Sequence, residues 1–169
     1  EPEAEPEPEP EAEPEPEPKA AAIEIPAGAV IGAAIDVGAT SVHLLVAAVG
    51  GHSVEPLLDE SVFLGLGDRV AADGLLGPDA REELVAALVA YADTARQLGA
   101  QRITLVGTEP LRRADDSPAV VSAVEARARV PLHVIDHDEE GLLTLLGVTE
   151  RPQIDTNLLK LAEGAGQLN

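Results

Sequence analysis

Two long apolar runs on either side of a short polar turn constrain this fold more than any other feature of the chain. The runs cover 30–37 and 42–49 and meet within the stretch AAIDVGATSVHLLVA at 33–47. Continuous apolar runs of this length predict strands that are buried on both faces of a sheet. The turn carries a carboxylate, a glycine and two hydroxyls, a set that a plain hairpin does not require. These four residues are Asp36, Gly38, Thr40 and Ser41.

The rest of the pattern predicts strands that alternate with helices. Periodicity and breaker residues place a strand at 53–64, a loop at 68–77, a helix at 78–98, a strand at 102–106, a helix at 110–129, a strand at 132–135 and a helix at 138–146. The segment 110–129 is either one helix or a loop and a helix that restarts near Ser117. The order β-β-β-α-β-α-β-α predicts the α/β class, with a mixed five-stranded sheet and helices on its faces.

Polar residues follow three of the predicted strands at the points where those strands end. The segments are 36–41, 107–113 and 136–140. A short strand that is followed by a helix implies parallel pairing, and ligands of such sheets bind at the carboxyl ends of the strands. We therefore expect the three segments to meet at one edge of the sheet and to form the functional site.

The acidic repeat at the start of the chain predicts a separate, unfolded segment. Residues 1–18 alternate Glu with Pro or Ala and hold nine of the acidic residues, which leaves about −11 of the net charge of −20 on the remainder. Such a sequence buries no apolar surface, so we expect a disordered, stiff tail and linker over 1–29. An arm that binds a basic partner is the alternative. Because the remainder is also acidic, nucleic acid is not an expected partner.

Composition excludes several kinds of site. The chain has no Cys, which rules out disulfides and thiolate sites, and its aromatic content of 1% weakens any function that depends on aromatic stacking. No apolar run is long enough to span a bilayer, and no basic segment precedes an apolar run as in a signal peptide. We expect a cytoplasmic location. The start at Glu1, without any Met, predicts a piece of a longer chain or a processed product.

Four motifs occur in a recognisable order between residues 33 and 148. In chain order they are AIDVGATSVHLLV (the first motif), LGLGDRVAADGLLGPDA (the intervening motif), VGTEPLRRADD (the second motif) and VIDHDEEGLLTLLGV (the third motif). In order and spacing the set resembles the amino-terminal domain of the exopolyphosphatase / guanosine pentaphosphate phosphohydrolase (Ppx/GppA) family. The resemblance implies a single ribonuclease H-like domain of the actin–hexokinase–Hsp70 superfamily over 30–148. A carboxyl-terminal extension at 149–169, with a short helix at 154–162, would follow it.

The resemblance implies a phosphate-binding loop in the first motif. Gly38, Ala39, Thr40 and Ser41 would bind phosphate, and Asp36 would support a Mg²⁺ ion. The residue types suit these roles, because glycine permits close backbone approach and hard cations prefer oxygen ligands. The sequence departs from the family pattern, which has Ser-Asn-Ser where this chain has Ala-Thr-Ser at 39–41. The alternative is an ordinary hairpin with an Asx-type turn.

The second motif supplies a candidate cation for phosphate recognition. The resemblance gives this role to Arg112, whose guanidinium suits bidentate contact with phosphate. The alternative is that Arg112 and Arg113 are solvated helix residues that pair with Asp115 and Asp116.

The third motif contains the candidate catalytic base, Glu140. The alternative is that Glu139 and Glu140 only complement the dipole at the start of a helix. Adjacent helix residues point about 100° apart, so only one of the two glutamates is expected to enter the site.

The resemblance implies hydrolysis of phosphoanhydrides by water that a Glu activates with Mg²⁺. Inorganic polyphosphate and guanosine pentaphosphate are the substrates that it implies. The family's second phosphate loop, D-x-G-G-G-S-x-E, does not follow Val148, so the chain is expected to hold half of a cleft and to show little hydrolysis alone. A second domain or self-association would complete the cleft. A phosphate- or nucleotide-binding module without turnover, or a protein-interaction module, are the alternatives.

Overall fold

The computed structural model describes residues 28–50 and 53–149. The predicted acidic tail and the carboxyl-terminal extension from residue 150 onward lie outside this range. In the described part no helix is both long and apolar enough to cross a membrane.

The predicted mixed five-stranded sheet is confirmed. Strand β2 (Ser41–Gly50) pairs antiparallel with both β1 (Val30–Val37) and β3 (Ser53–Phe63). Strand β4 (Arg102–Gly107) pairs parallel with β1, and β5 (Leu132–Val134) pairs parallel with β4. The order across the sheet is β3-β2-β1-β4-β5. The helices are α1 (Leu66–Asp73) and α2 (Gly77–Gln97) between β3 and β4, α3 (Glu109–Arg113) and α4 (Ser117–Ala128) between β4 and β5, and α5 (His137–Thr149) after β5.

The sheet is buried on one face only, so the prediction of burial on both faces is wrong. Along β1, Ile35 and Val37 are buried while Ala34 and Asp36 are exposed. The buried positions belong to one core cluster with residues of α2 and α4. The prediction of helices on the faces of the sheet is confirmed: α2 and α4 pack on the buried face, and α5 lies near the open face, where its Glu140 lines a cavity with Asp36.

A helix replaces most of the predicted loop at 68–77, so that prediction is also wrong. Within α1, Leu66 and Val70 are one turn apart and both are buried. Gly65 (φ 60°) and Gly74 (φ 72°) adopt left-handed conformations at the two ends of the helix, which glycine accepts readily. Polar residues lie between Leu66 and Val70 in the sequence, so the apolar positions of this short helix are hard to recognise from the sequence alone.

The segment 110–129 takes the second of its two predicted forms, because α3 ends at Arg113 and α4 restarts at Ser117. The carboxylate of Asp116, just before α4, accepts hydrogen bonds from the backbone N–H groups of Leu76 and Gly77 at 2.9 and 3.0 Å. These N–H groups begin α2 and have no partner within that helix. The break in the helix thus places a carboxylate that caps a distant helix.

Candidate active site

The carboxyl ends of the parallel strands are joined directly to one another, which confirms that the three polar segments meet at one edge. Thr108 follows β4 and donates two hydrogen bonds to the carbonyl of Val37 at the end of β1, from its backbone N–H (3.1 Å) and its hydroxyl (2.9 Å). On the other side, Ile135 N–H donates to Gly107 O at 3.0 Å. These bonds fix the segments after β1, β4 and β5 side by side.

The turn between β1 and β2 is a hairpin, and it is closed by its backbone. Gly38 N–H donates to Ser41 O at 3.0 Å. A Cβ on Gly38 would lie 3.3 Å from that same carbonyl oxygen, so a larger residue would crowd the turn. In the described structure the carboxylate of Asp36 makes no hydrogen bond to the turn, so the Asx-type alternative is wrong. Asp36 is left available to the site.

Backbone N–H groups of the intervening motif, LGLGDRVAADGLLGPDA, donate hydrogen bonds to the carbonyl groups of the turn. Thr40 O accepts from the backbone N–H groups of Leu64 and Gly65 at 3.0 and 2.9 Å, and Ala39 O accepts from Gly67 N–H at 2.8 Å. A Cβ on Gly67 would lie 2.9 Å from Ala39 Cβ, so glycine is needed for this approach. Within residues 28–50 and 53–149, the N–H groups of Ala39 and Thr40 have no hydrogen-bond partner. The turn therefore offers donors at the sheet edge.

Arg112 bridges the second and third segments. Its Nη1 donates to Ile135 O at 2.8 Å, and its Nη2 lies 2.8 Å from Glu140 Oε2 and 3.1 Å from His137 Nδ1. Only 16% of the Arg112 side chain is exposed. The alternative in which Arg112 pairs with an aspartate after α3 is therefore wrong. A planar guanidinium with several donors can hold a carbonyl and a carboxylate at once.

Arg113 has a different environment from its neighbour. Its Nη1 lies 2.5 Å from Glu109 Oε1, one turn earlier on α3, and 55% of its side chain is exposed. Asp116, one of the two aspartates that the alternative paired with these arginines, has its Oδ2 3.5 Å from Arg81 Nε instead. Of the two adjacent arginines, the structure therefore brings only Arg112 to the site.

The two adjacent glutamates of the third motif have different contacts. Glu139 N–H donates to Asp136 Oδ1 at 2.8 Å, and Asp136 N–H donates to Glu139 Oε2 at 3.0 Å. This reciprocal pair is a capping box, which satisfies free N–H groups at the start of a helix. Glu140 points to Arg112 instead. The dipole interpretation therefore describes Glu139, and Glu140 is the glutamate at the sheet edge.

Asp36 and Glu140 face a common cavity of about 300 Å³, which Thr108 and Leu143 also line. The pKa of Asp36 is raised above 3.8, first because protein atoms desolvate its carboxyl group and second because of the negative charge of Glu140. Asp36 as a whole residue is nevertheless exposed. His43 partly opposes the shift. The carboxylate of Asp36 thus shares a cavity with Glu140, whose negative charge disfavours the ionised form of Asp36.

Two residues with structural roles at the site were missed from the sequence. Thr108 joins β4 to β1 and is buried, and His137 contacts the guanidinium of Arg112. A hydroxyl residue directly after a strand and before Glu109-Pro110 is a typical helix start, so Thr108 could have been found. The position of His137 depends on how α5 lies against α3, and no local pattern reveals this.

The sequence profile of the Ppx/GppA phosphatase family matches residues 45–159, which is more than half of the chain. The chain belongs to the Ppx/GppA phosphatase family. The matched range contains the last three motifs complete but only the end of the first, so it does not include the turn at 36–41. Any function of the turn in this Ppx/GppA chain must therefore be argued from its geometry.

Curated relatives agree with the family assignment. The chain is 29% identical over 116 residues to Exopolyphosphatase 1 of Mycobacterium tuberculosis, an alignment that covers 68% of this chain and 33% of the relative. It is 31% identical over 112 residues to an uncharacterized protein of Streptomyces coelicolor, which covers 66% of this chain and 33% of that protein. The chain thus spans about a third of the length of the curated relatives it matches.

Solved structures confirm the fold class predicted for this Ppx/GppA domain, the ribonuclease H-like fold of actin-like proteins. The crystal structure of the Aquifex aeolicus Ppx/GppA family member has a TM-score of 0.69 and 26% sequence identity, covering 75% of this chain and 42% of that one. An exopolyphosphatase from Cytophaga hutchinsonii has a TM-score of 0.63 at 19% identity and covers 67% of this chain and 36% of that one. The second comparison shows the fold alone.

Proposed function

We propose that this Ppx/GppA-family chain supplies one side of a cleft that hydrolyses phosphoanhydrides. Inorganic polyphosphate or guanosine pentaphosphate is the proposed substrate. The observation that carries the proposal is the convergence of free backbone donors at 39–40, the guanidinium of Arg112 and the carboxylate of Glu140 at one sheet edge. Hydrolysis of a phosphate chain requires donor groups that bind the anionic phosphate beside a carboxylate that acts as a base.

The turn is the proposed phosphate-binding element. The N–H groups of Ala39 and Thr40 and the hydroxyls of Thr40 and Ser41 would donate to phosphate oxygens. Their positions are fixed before any ligand arrives, because the carbonyls of Ala39 and Thr40 are already bonded. A donor set that needs no rearrangement binds an anion without an ordering cost. The loss of the family's first serine at Ala39 removes a side-chain donor but not the backbone donor.

Asp36 and Glu140 fit a Mg²⁺ ion in part. Their carboxylates face one cavity, and the charge of Glu140 raises the cost of ionising Asp36, which a cation between them would relieve. The described residues contain no group of three His, Cys, Asp or Glu suited to a metal. Magnesium typically takes one or two carboxylates and completes its shell with water and substrate phosphates. Asp36 is the proposed metal-supporting residue, and a bound ion would neutralise charge on the phosphoryl oxygens.

Glu140 is the proposed general base. Its carboxylate would accept a proton from a water that attacks the phosphorus, and the bond from that phosphorus to the bridging oxygen would break. Arg112 fixes the orientation of Glu140 through the 2.8 Å contact with Oε2. The ion pair with Arg112 is formed through Oε2, and Oε1, which accepts no hydrogen bond within the described residues, is the oxygen proposed to contact the water.

The proposed domain covers 30–148, and a second domain or a second copy of the chain would close the cleft. Glu140 is 38% exposed, and an open site leaves its groups solvated. Electrostatic stabilisation of a transition state needs exclusion of water. This exposure favours a second candidate for the isolated chain, a module that binds polyphosphate or nucleotide with little turnover.

Phosphate release from polyphosphate with Mg²⁺ tests the hydrolase proposal. We compare the wild-type chain with Glu140→Gln and with the matched control Glu139→Gln, which keeps an acceptor for the helix cap. Glu140→Gln should lower the rate at least 100-fold, and Glu139→Gln should lower it less than threefold. Equal loss in both variants would contradict the assignment of the base. No release from the wild type, together with measurable binding of polyphosphate, would establish the binding module instead.

A further inference from the structure

A single exposed aromatic side chain lies beside the turn. Phe63 ends β3 and is 73% exposed. It is the only Phe in a chain with one Tyr and no Trp. The described core is built from aliphatic side chains and alanine, so Phe63 contributes little to the core. Single apolar residues are common on protein surfaces, so the position of Phe63 beside the turn, and not its exposure alone, carries the inference below.

The strand register places Phe63 on the same face of the sheet as Asp36. Phe63 lies directly opposite Ser41 across the β2–β3 ladder, and Asp36 lies opposite His43 across the β1–β2 ladder. Residues two apart on a strand share a face, and directly opposite residues have Cβ atoms about 5 Å apart. The aromatic ring therefore neighbours the last residue of the turn on the side where Asp36 points.

The ring of Phe63 also lies close to Gly65, a residue that is hydrogen-bonded to the turn. Its Cε1 and Cζ atoms lie 3.5 and 3.6 Å from the position that a Cβ on Gly65 would take. Gly65 N–H in turn donates to Thr40 O at 2.9 Å. The ring thus lies against a residue that is bonded to the turn, while most of its surface is open to solvent.

Building on the proposed function, we propose that Phe63 is a stacking surface for the nucleobase of a nucleoside polyphosphate whose phosphates bind at the turn. Stacking of a base on an aromatic ring is favourable and tolerates different bases, since every base has a π-face. A bare phosphate chain gains nothing from the ring. Phe63 would therefore favour nucleotide over inorganic polyphosphate without distinguishing guanine from adenine.

Binding of two matched ligands tests this proposal. Guanosine triphosphate and methyl triphosphate carry the same triphosphate monoester and differ only in the nucleoside. By titration calorimetry with Mg²⁺, the wild-type chain should bind guanosine triphosphate about tenfold more tightly. Phe63→Leu should reduce this preference to less than threefold and leave methyl triphosphate binding unchanged. Phe63→Tyr should keep the preference, as should Leu98→Ala, a control at another exposed apolar residue.

A second measurement reports on the ring itself. A sample with labelled phenylalanine contains one aromatic spin system, because the chain has one Phe. Guanosine triphosphate should shift this resonance and methyl triphosphate should not. Equal affinity of the wild type for both ligands would refute the stacking surface alone, whereas failure to bind either ligand would refute the phosphate site as well. A change in oligomeric state on Phe63→Leu, with unchanged nucleotide preference, would identify Phe63 as a protein contact and overturn the proposal.

Discussion

Removal of the Arg112 guanidinium should loosen α5 and misplace Glu140. Arg112 is the residue that links the carbonyl of Ile135, just before α5, to the carboxylate of Glu140 within it. A hydrogen bond to a charged group contributes about 1.5–3 kcal/mol when it is well shielded and less when it is exposed. Since Arg112 is 16% and Glu140 38% exposed, we expect Arg112→Ala to lower the free energy of unfolding by about 2 kcal/mol.

A double-mutant cycle separates the pair from the other contacts of Arg112. Urea unfolding of wild type, Arg112→Ala, Glu140→Ala and the double variant should give a coupling of about 1 kcal/mol. The exposed pair between Arg113 and Glu109 is a matched control on α3, with an expected coupling of about 0.3–0.5 kcal/mol. Arg112→Lys should restore little, because an ammonium cannot reproduce the planar arrangement of donors.

Hydrogen exchange locates the effect of the same variants. If Arg112 anchors α5, Arg112→Ala should increase exchange in 137–149 more than in β1 or β4, because the lost contacts are local. A coupling for Arg112 and Glu140 no larger than that of the control pair, with uniform exchange, would refute the role of Arg112 in positioning Glu140.

Three further results are expected. Because the folded-state pKa of Asp36 lies above 3.8, its ionisation costs stability at neutral pH and this cost is lost as pH falls through that pKa. Asp36→Asn should therefore be more stable than wild type to urea at pH 7, and the difference should shrink toward pH 4; a constant difference would contradict the shift. Asp116→Ala should lower unfolding free energy by about 2 kcal/mol through loss of two cap bonds, whereas unchanged urea unfolding would show that the cap is dispensable. Gly67→Ala should displace Ala39 and weaken triphosphate binding severalfold in calorimetry. Gly74→Ala, where a Cβ meets nothing but φ is 72°, should cost about 1 kcal/mol without changing binding, and equal binding losses would contradict the steric argument.

The sheet and most helices were predictable because local patterns and connection rules agree on them. Short strands followed by helices imply parallel pairing, and β4 and β5 do pair in parallel with their neighbours. The order of the strands across the sheet was not predicted. The open face was not predictable in the same way. In β1 and β2, the residues that point to either face of the sheet are mostly apolar, so the sequence does not show which face is buried. The packing of α2 and α4 determines it. The short helix α1 was missed because two buried residues are too few to show a period.

At the candidate site, the sequence indicated which segments meet but not how their side chains pair. The distance between Arg112 and Glu140 depends on the direction in which α5 leaves β5, which is a tertiary property. The role of Glu139, by contrast, follows from local chemistry. An acid three residues before a glutamate at a helix start is a capping box, and the pair Asp136 and Glu139 has this spacing. Recognition of the cap alone therefore accounts for Glu139 but not for Glu140.

The electrostatics of the cavity indicate that the site is not arranged for stability. Asp36 occupies a strand position on the open face, where its charge is opposed by desolvation and by Glu140. A sequence selected for folding alone would place a neutral residue there, because the carboxylate raises the free energy of the folded state at neutral pH. Such conflicts between local stability and global structure are concentrated at functional sites. A bound cation would make the negative charge of Asp36 favourable instead of unfavourable. If Asp36→Asn stabilises the fold and also abolishes Mg²⁺-dependent phosphate binding, then the carboxylate that lowers stability is the one that binding requires.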